Sequence, residues 1–300
     1  MSSDDPRYPA CPGPDPSPRP PRFKVPAGAC DTHFHVFGPE QRYPWSPARG
    51  YTPPDATVPM LQSLHRTLGI SRGVVTQPSV YGTDNRASLD AVASAPQSMR
   101  AVVALPITVS DEELQSLHAA GARGVRVNMV DKGGMPFDDL HEVSEFCHRL
   151  TALGWHLEVL IHVDSFDDLR GTLGALPVDV VVGHLGYMST ALPLDNPGFQ
   201  TFLELLAQGN FWAKLTGTYR ITRCQRTPYD DVLPFARALI EAAPHKMLWG
   251  TDWPHPHHHG FMPNDGYLLD QLADWTDDDA GLIERILVDN PARLYGFQDQ

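Results

Sequence analysis

Eight short β-rich runs, spaced through the chain and separated by stretches of helical periodicity, constrain the fold more than any other feature. The runs are ACDTHFH (29–35), RGVVTQ (72–77), RAVVALP (100–106), GVRVN (124–128), LEVLIHV (157–163), VDVVVGHL (178–185), FWAKLTG (211–217) and KMLWGTD (246–252). Between them lie VPMLQSLHRTLG, DEELQSLHAAGA, DDLHEVSEFCHRLTALG and YDDVLPFARALIEAA, several of which start at Asp or Ser and stop at Gly, as capped helices do. A last helix is predicted near DDAGLIERILVDNPARLYG. Runs such as RGVVT and DVVVG are apolar without alternation, as strands buried on both faces should be. Eight strand–helix repeats in residues 28–300 fit a single-domain (β/α)8 TIM barrel, an α/β fold of typically ~250 residues. An open doubly wound sheet is the alternative, but no GxGxxG follows the first strand. A β-sandwich leaves the helical stretches unexplained.

Residues 1–27 are dense in proline and poor in aliphatics, so they are expected to form a flexible tail rather than part of the core. This start is polar rather than basic then apolar, unlike a secretory signal, and no apolar run nears the ~20 residues of a membrane span. A cytoplasmic protein without membrane contact, a monomer or small homo-oligomer, is the expectation. The net charge of -13 argues against nucleic acid as a partner, although a few arginines can still build a local anion pocket. The four cysteines (Cys11, Cys30, Cys147, Cys224) contain no CxxC pair, which speaks against a zinc ribbon or a disulfide scaffold.

In a barrel of this kind chemistry gathers where strands end at the C-terminal face. The polar residues at these ends are His33 and His35, Gln77 and Ser79, Arg126 and Asn128, His162, His184, Lys214 and Thr216, and Asp252. Residues two apart on a strand point the same way, so His33 and His35 can both face the interior and meet at one atom. Such a pair serves as metal ligands, as proton handlers, or as core residues that must find hydrogen bonds. His162 or His184 alone also fits a packing role, and Asp252 fits a loop cap.

The combination DTHFHVFGP, YTPPDA, YGTDNR, LHAAGARGVRVN, LGWH, VVGHLG, DVLPFAR and LWGTDWPHP, followed by MPNDG and LVDNPARLY, covers residues 29 to 296. It resembles the amidohydrolase superfamily (amidohydrolase 2 type), in its 2-pyrone-4,6-dicarboxylate lactonase-like branch. The resemblance implies a hydrolase that opens an anionic lactone, carboxylated or sulfonated, during breakdown of aromatic compounds or sugar acids. It implies Asp252 as the general base and His33, His35 and His184 around the lactone carbonyl. It also implies Arg126, Arg220, Tyr51, Ser79 and Lys132 as contacts to the substrate. A lactone isomerase or a metal-dependent decarboxylase is the alternative on the same scaffold.

Three positions depart from the lactonase pattern: Lys132 stands for an arginine, Leu160 for a tyrosine of the fifth strand, and His162 for an acidic residue two further on. A substrate other than the pyrone dicarboxylate is therefore expected. The closest lactonase type implies that no metal is required, whereas metal-bound members of the superfamily place histidine on strand five. By that second likeness His33, His35, His162 and Asp252 would hold one divalent metal such as zinc. The cluster HPHHHG (255–260) reads as loop histidines, and Asp84, Asn85 and Arg86 as braces of the following helix.

Overall fold

The computed structural model describes residues 7–136 and 142–298, and all eight predicted runs form strands within it. These are β1 (Cys30–Phe34), β2 (Arg72–Thr76), β3 (Met99–Val103), β4 (Ala122–Asn128), β5 (His156–Leu160), β6 (Val180–Val182), β7 (Phe211–Leu215) and β8 (Met247–Trp249). They pair in parallel in sequence order, with helices on the outside, as in a (β/α)8 TIM barrel. Val75, Val102, Val125, Val159, Val180 and Val182 have no exposed surface, the cause of the unbroken apolar runs in the sequence. Among the described residues no helix is long and apolar enough to cross a membrane.

Helix boundaries follow local chemistry. Ser110 caps Asp111–Ala119 by accepting the Glu113 N–H, and helix Val58–Leu68 stops at Gly69, whose φ of 76° suits a residue without a side chain. The stretch predicted at 138–154 forms helix Val143–Ala152, and its positions 138–141 lie outside the described residues.

The sheet closes where β1 meets the end of β8. The Asp252 N–H donates to the His33 carbonyl (2.7 Å) and the His35 N–H to the Trp253 carbonyl (2.8 Å). Asp31 sews the same seam with its side chain. It accepts the Thr251 N–H (3.0 Å), the Thr251 hydroxyl (2.6 Å) and the His33 N–H (3.1 Å). A side chain at position 250 would come within 2.6 Å of the His33 nitrogen, so the seam needs Gly250.

The N-terminal segment departs from the expectation of a flexible tail. From residue 7 it lies along the barrel, because the barrel supplies the partners that its own composition lacks. Cys11 N–H donates to the Thr52 carbonyl and Thr52 N–H to the Pro9 carbonyl, both at 2.9 Å. Arg19 pairs with Asp270, and Arg22 with Asp274 (2.7 Å) and Asp278 (2.9 Å). Prolines also restrict the free chain, which lowers the entropy lost on docking.

His156 of β5 is buried near the barrel base, and burial pushes its pKa down to about 4. The unfolded chain takes up this proton below ~6.5 while the folded chain refuses it, so stability falls as pH drops from ~6.5 toward 4. Between pH 7 and pH 5 this residue should remove about 2 kcal/mol. Urea denaturation at both pH values should show His156→Leu with a correspondingly shallower dependence; an unchanged slope would refute the assignment.

Candidate active site

The site grows from the seam. Asp252 follows β8 in a left-handed conformation (φ 60°), an uncommon state for aspartate that its backbone bond to His33 and the bond from the His255 N–H to its own carbonyl (2.7 Å) help to hold. Its two carboxylate oxygens differ. Oδ2 accepts from the Tyr219 hydroxyl (2.5 Å) and from Arg220 Nε (2.7 Å). Oδ1 has no hydrogen-bond partner, and Nε2 of His33 and Nε2 of His35 each stand 3.6 Å from it. His184 Nε2 lies 3.9 Å from Oδ2. The His33 ring sits 5.2 Å from both the His35 and the His184 rings. The alternation argument for the HxH pair thus holds in three dimensions.

Each imidazole has a partner on its far side. His35 Nδ1 meets the Thr76 carbonyl (2.7 Å), which can only accept, so Nδ1 carries the proton and Nε2 of the neutral ring offers a lone pair. His184 Nδ1 meets the Thr216 hydroxyl (2.8 Å). His33 Nδ1 faces Lys214 Nζ (3.3 Å) and Glu158 Oε1 (3.4 Å). Lys214 and Glu158 form a fully buried pair at 2.6 Å, and Lys214 also donates to the Thr32 carbonyl (2.7 Å).

These contacts set the charges. Burial, then Lys214, pushes His33 down to about 3, and burial also lowers His35 and His184. Burial alone would raise Asp252, but Arg220 first, then His184, outweighs it and holds the carboxyl well below its usual range. For Glu158 burial is likewise overcome by Lys214 and then His33. Near neutral pH the site is one carboxylate among three neutral imidazoles.

Arg126, Arg220, Tyr51 and Ser79 all line the cavity above Asp252, together with Asn128, Asp131, Leu160 and His257. Arg126 donates to the Gln77 carbonyl (2.9 Å), and its Nε has no partner. The free space is only about 10 Å³, room for about one water. A wider cavity of about 480 Å³ shares the Pro78, Ser79, Arg126 and Asn128 wall and continues past Trp45, Tyr81 and Met135.

Two predicted residues lie elsewhere. His162 is exposed, stacks on Tyr187 (4.6 Å, 18°) and bonds the Tyr187 carbonyl through Nδ1 (2.8 Å). β5 ends at Leu160, so alternation no longer governs position 162, and the acidic residue of that strand is Glu158. The four-ligand set with His162 is therefore not assembled. Lys132 is exposed beside Gly50 rather than in the cavity. Asn128 Oδ1 accepts the N–H groups of Val130 and Asp131 (3.0 and 2.9 Å), and this turn brings Asp131, not Lys132, to the cavity wall.

Of the HPHHHG histidines, His255 is buried and His257 stacks on Tyr51 (5.3 Å, 12°). Asp84 pairs with Arg86 (2.6 Å), as expected of helix braces. Sequence reading missed Asp31, Glu158, Tyr219, Asp131, His255 and Asp265. Only the DWPHP and NDG motifs hinted at the last two.

One further grouping bears on metals. The ligating atoms of His33, His184 and Asp252 lie within 4.8 Å of one another. Two nitrogens and one carboxylate oxygen fit a zinc-like ion, and His33 Nε2 and Asp252 Oδ1 are both unpartnered. Arg220 on Oδ2 adds a competing positive charge to the same carboxylate.

Comparison with known proteins matches residues 30–297 to the amidohydrolase family model. The chain belongs to the amidohydrolase family. A 2-pyrone-4,6-dicarboxylate hydrolase of Comamonas testosteroni is 40% identical over 287 residues, 93% of each chain. A 4-sulfomuconolactone hydrolase of Hydrogenophaga intermedia is 37% identical, covering 96% of this chain and 95% of the relative. An apo crystal structure of an Agrobacterium tumefaciens protein superposes with a TM-score of 0.82 at 29% identity, over 93% of this chain and 100% of that one.

The buried pair behind His33 yields a test. Lys214→Met leaves Glu158 uncompensated and should cost about 3–5 kcal/mol, whereas Lys214→Met with Glu158→Leu should recover most of that loss. Chemical denaturation of the single and double variants measures this; equal losses in both would refute the coupling.

Proposed function

We propose that the protein is a lactone hydrolase acting on an anionic lactone, carboxylated or sulfonated. The observation that carries this reading is the asymmetric Asp252: one oxygen is anchored by Tyr219 and Arg220, and the other is free in a cavity walled by two arginines. The relatives that hydrolyse a pyrone dicarboxylate and a sulfomuconolactone support the substrate class and a place in aromatic compound breakdown.

The residues divide the work. Arg126 and Arg220 supply the charge that holds the substrate's anionic group, and arginine's fork matches a carboxylate or sulfonate. Asp252 Oδ1 takes a proton from water while the water oxygen bonds to the acyl carbon. His35 Nε2 accepts a hydrogen bond that aims this water. His33, with Nδ1 accepting from Lys214, donates Nε2–H to the carbonyl oxygen as it gains negative charge. The acyl–oxygen bond of the ring then breaks, and the proton on Asp252 passes to the departing oxygen. An open-chain acid results.

A divalent cation, if bound, would be held by His33, His184 and Asp252 with His35 beside them, and would polarise the carbonyl and acidify the water. The steps above use only this chain's groups. Metal analysis with turnover measured before and after chelation distinguishes the two forms: unchanged turnover supports the metal-free one, and loss restored by zinc overturns it.

A screen of carboxylated, sulfonated and sugar-acid lactones, followed by product analysis, tests the reading itself. Ring opening with uptake of water is expected; an isomerised lactone or released carbon dioxide would replace it with the other reactions of this scaffold. On the lactone found, Asp252→Asn should lower kcat by ~10²-fold or more with KM within a few-fold. Arg126→Met should act chiefly on KM. Full activity of the first variant, or an unmoved KM in the second, would remove that residue from its role.

A further inference from the structure

The second half of the DWPHP motif and the NDG motif are not used by this chemistry, yet they stand directly behind it. His255 is fully buried, with φ 61°, and its ring meets Tyr219 edge-on at 5.2 Å. Its Nδ1 is 3.2 Å from the Tyr219 hydroxyl, and its Nε2 is 3.2 Å from Asp265 Oδ1. Tyr219 in turn reaches Asp252 Oδ2 at 2.5 Å. Four buried side chains therefore form one line, from Asp265 through His255 and Tyr219 to Asp252.

Asp265 opens the helix Asp265–Trp275, where an acid ordinarily caps the chain or favours the helix dipole from solvent. Neither role accounts for it. Asn264 caps this helix by accepting the Gly266 N–H, and Asp265 is turned inward with 1% of its surface exposed. Both carboxylate oxygens of Asp265, and Nε2 of His255, lack a hydrogen-bond partner among the described residues, so the 3.2 Å approach of Nε2 to Oδ1 is a close contact between two buried groups that nothing else satisfies.

Counting protons fixes the direction of the line. A phenol and a carboxylate at 2.5 Å need a proton between them, and the ionised carboxylate has none, so it is Tyr219 that donates. The phenol oxygen is then left with lone pairs toward His255, so Nδ1 carries a proton. Asp265 stands 3.2 Å from Nε2, on the far side of the same ring. A His255 without its Nδ1 proton would draw the Tyr219 hydroxyl hydrogen toward itself and away from Asp252.

Arg220 shares Oδ2 with Tyr219 and donates to the Pro256 carbonyl (2.9 Å), but it also lines the cavity, where a bound anion would compete with Asp252 for its charge. Tyr219 is the uncharged tether, for which an anion does not compete. We infer that His255 and Asp265 are positioning residues of the reaction: acting through Tyr219, they hold its hydroxyl on Oδ2 of Asp252, so that Oδ1 stays aimed at the water. This rests on the lactone hydrolase reading for its kinetic consequence, but not for the line of contacts itself.

The test is a double-mutant cycle on the full chain with the lactone found by screening. Asp265→Asn should lower kcat by about 10-fold or more while KM stays within about two-fold. The same change in a Tyr219→Phe background should cost under about two-fold, because the route to Asp252 is already cut. His255→Asn keeps a donor near Tyr219 at a backbone angle asparagine tolerates, and should retain more kcat than His255→Leu. It also stands in if Asp265→Asn fails to fold. Costs that multiply in the double variant, or that appear in KM alone, would overturn the inference.

A second arm needs no substrate. In histidine-nitrogen NMR of the resting protein, with His255 assigned by its loss in His255→Asn, Nδ1 should read as protonated and should shift in both Tyr219→Phe and Asp265→Asn. A His255 signal indifferent to Tyr219→Phe would overturn the line. A wild type inert toward every anionic lactone, with this signal behaving as stated, would sink the substrate reading and leave the line standing.

Discussion

The closure of the barrel between its first and last strands is the constraint from which the site follows. Asp31 accepts three donors there, two from Thr251 and one from His33, and the main chains of residues 33 and 252 are bonded directly. Two segments more than two hundred residues apart are thus held in one register. Because Oδ1 of Asp31 accepts both the Thr251 and the His33 N–H groups, the bonds that close the sheet also fix where the first imidazole sits relative to the acid. Gly250 allows the close approach. In this molecule folding the barrel and assembling the histidine–aspartate cluster are the same act.

A barrel interior usually fills with branched apolar side chains. Here the layer beneath the imidazoles contains Lys214 and Glu158, paired at 2.6 Å with almost no exposure. Burying such a pair is costly, and apolar replacements often serve stability equally well. The pair therefore makes sense as a support for His33. Lys214 donates to Thr32 and Glu158, and its ammonium and the Glu158 carboxylate both face Nδ1 of His33 (3.3 and 3.4 Å), which sets the position of the ring. Stability is traded for a ring held in one place.

Much of this was legible in the residues. Apolar runs located all eight strands, since strands covered on both faces have no polar alternation to blur them. The two-residue period placed His33 and His35 on one side. Asp252 stood out because it follows an apolar run and precedes a turn. Other features failed where a periodic rule was carried past its element. Counting by twos from Glu158 puts His162 in the interior, but the strand stops at Leu160 and the chain turns. Lys132 matched a charged position by alignment, yet an asparagine-based turn exchanged it for its neighbour Asp131. Tyr219, His255 and Asp265 belong to different segments that meet only after the barrel has closed. The tail was misread because composition reports what a segment can bury by itself, not which acidic surface it will lie on.

That surface has a consequence for how the molecule is made. Arg19 and Arg22 find their partners at Asp270, Asp274 and Asp278, with 251 residues between the positions of Arg19 and Asp270. Along the way Cys11 Sγ accepts the N–H of His257 (3.2 Å), so the arm also rests on the loop that follows Asp252. During synthesis this arm must wait, undocked, until the last strand of the barrel and the helix after it have emerged. It is built before the barrel and fastened after it.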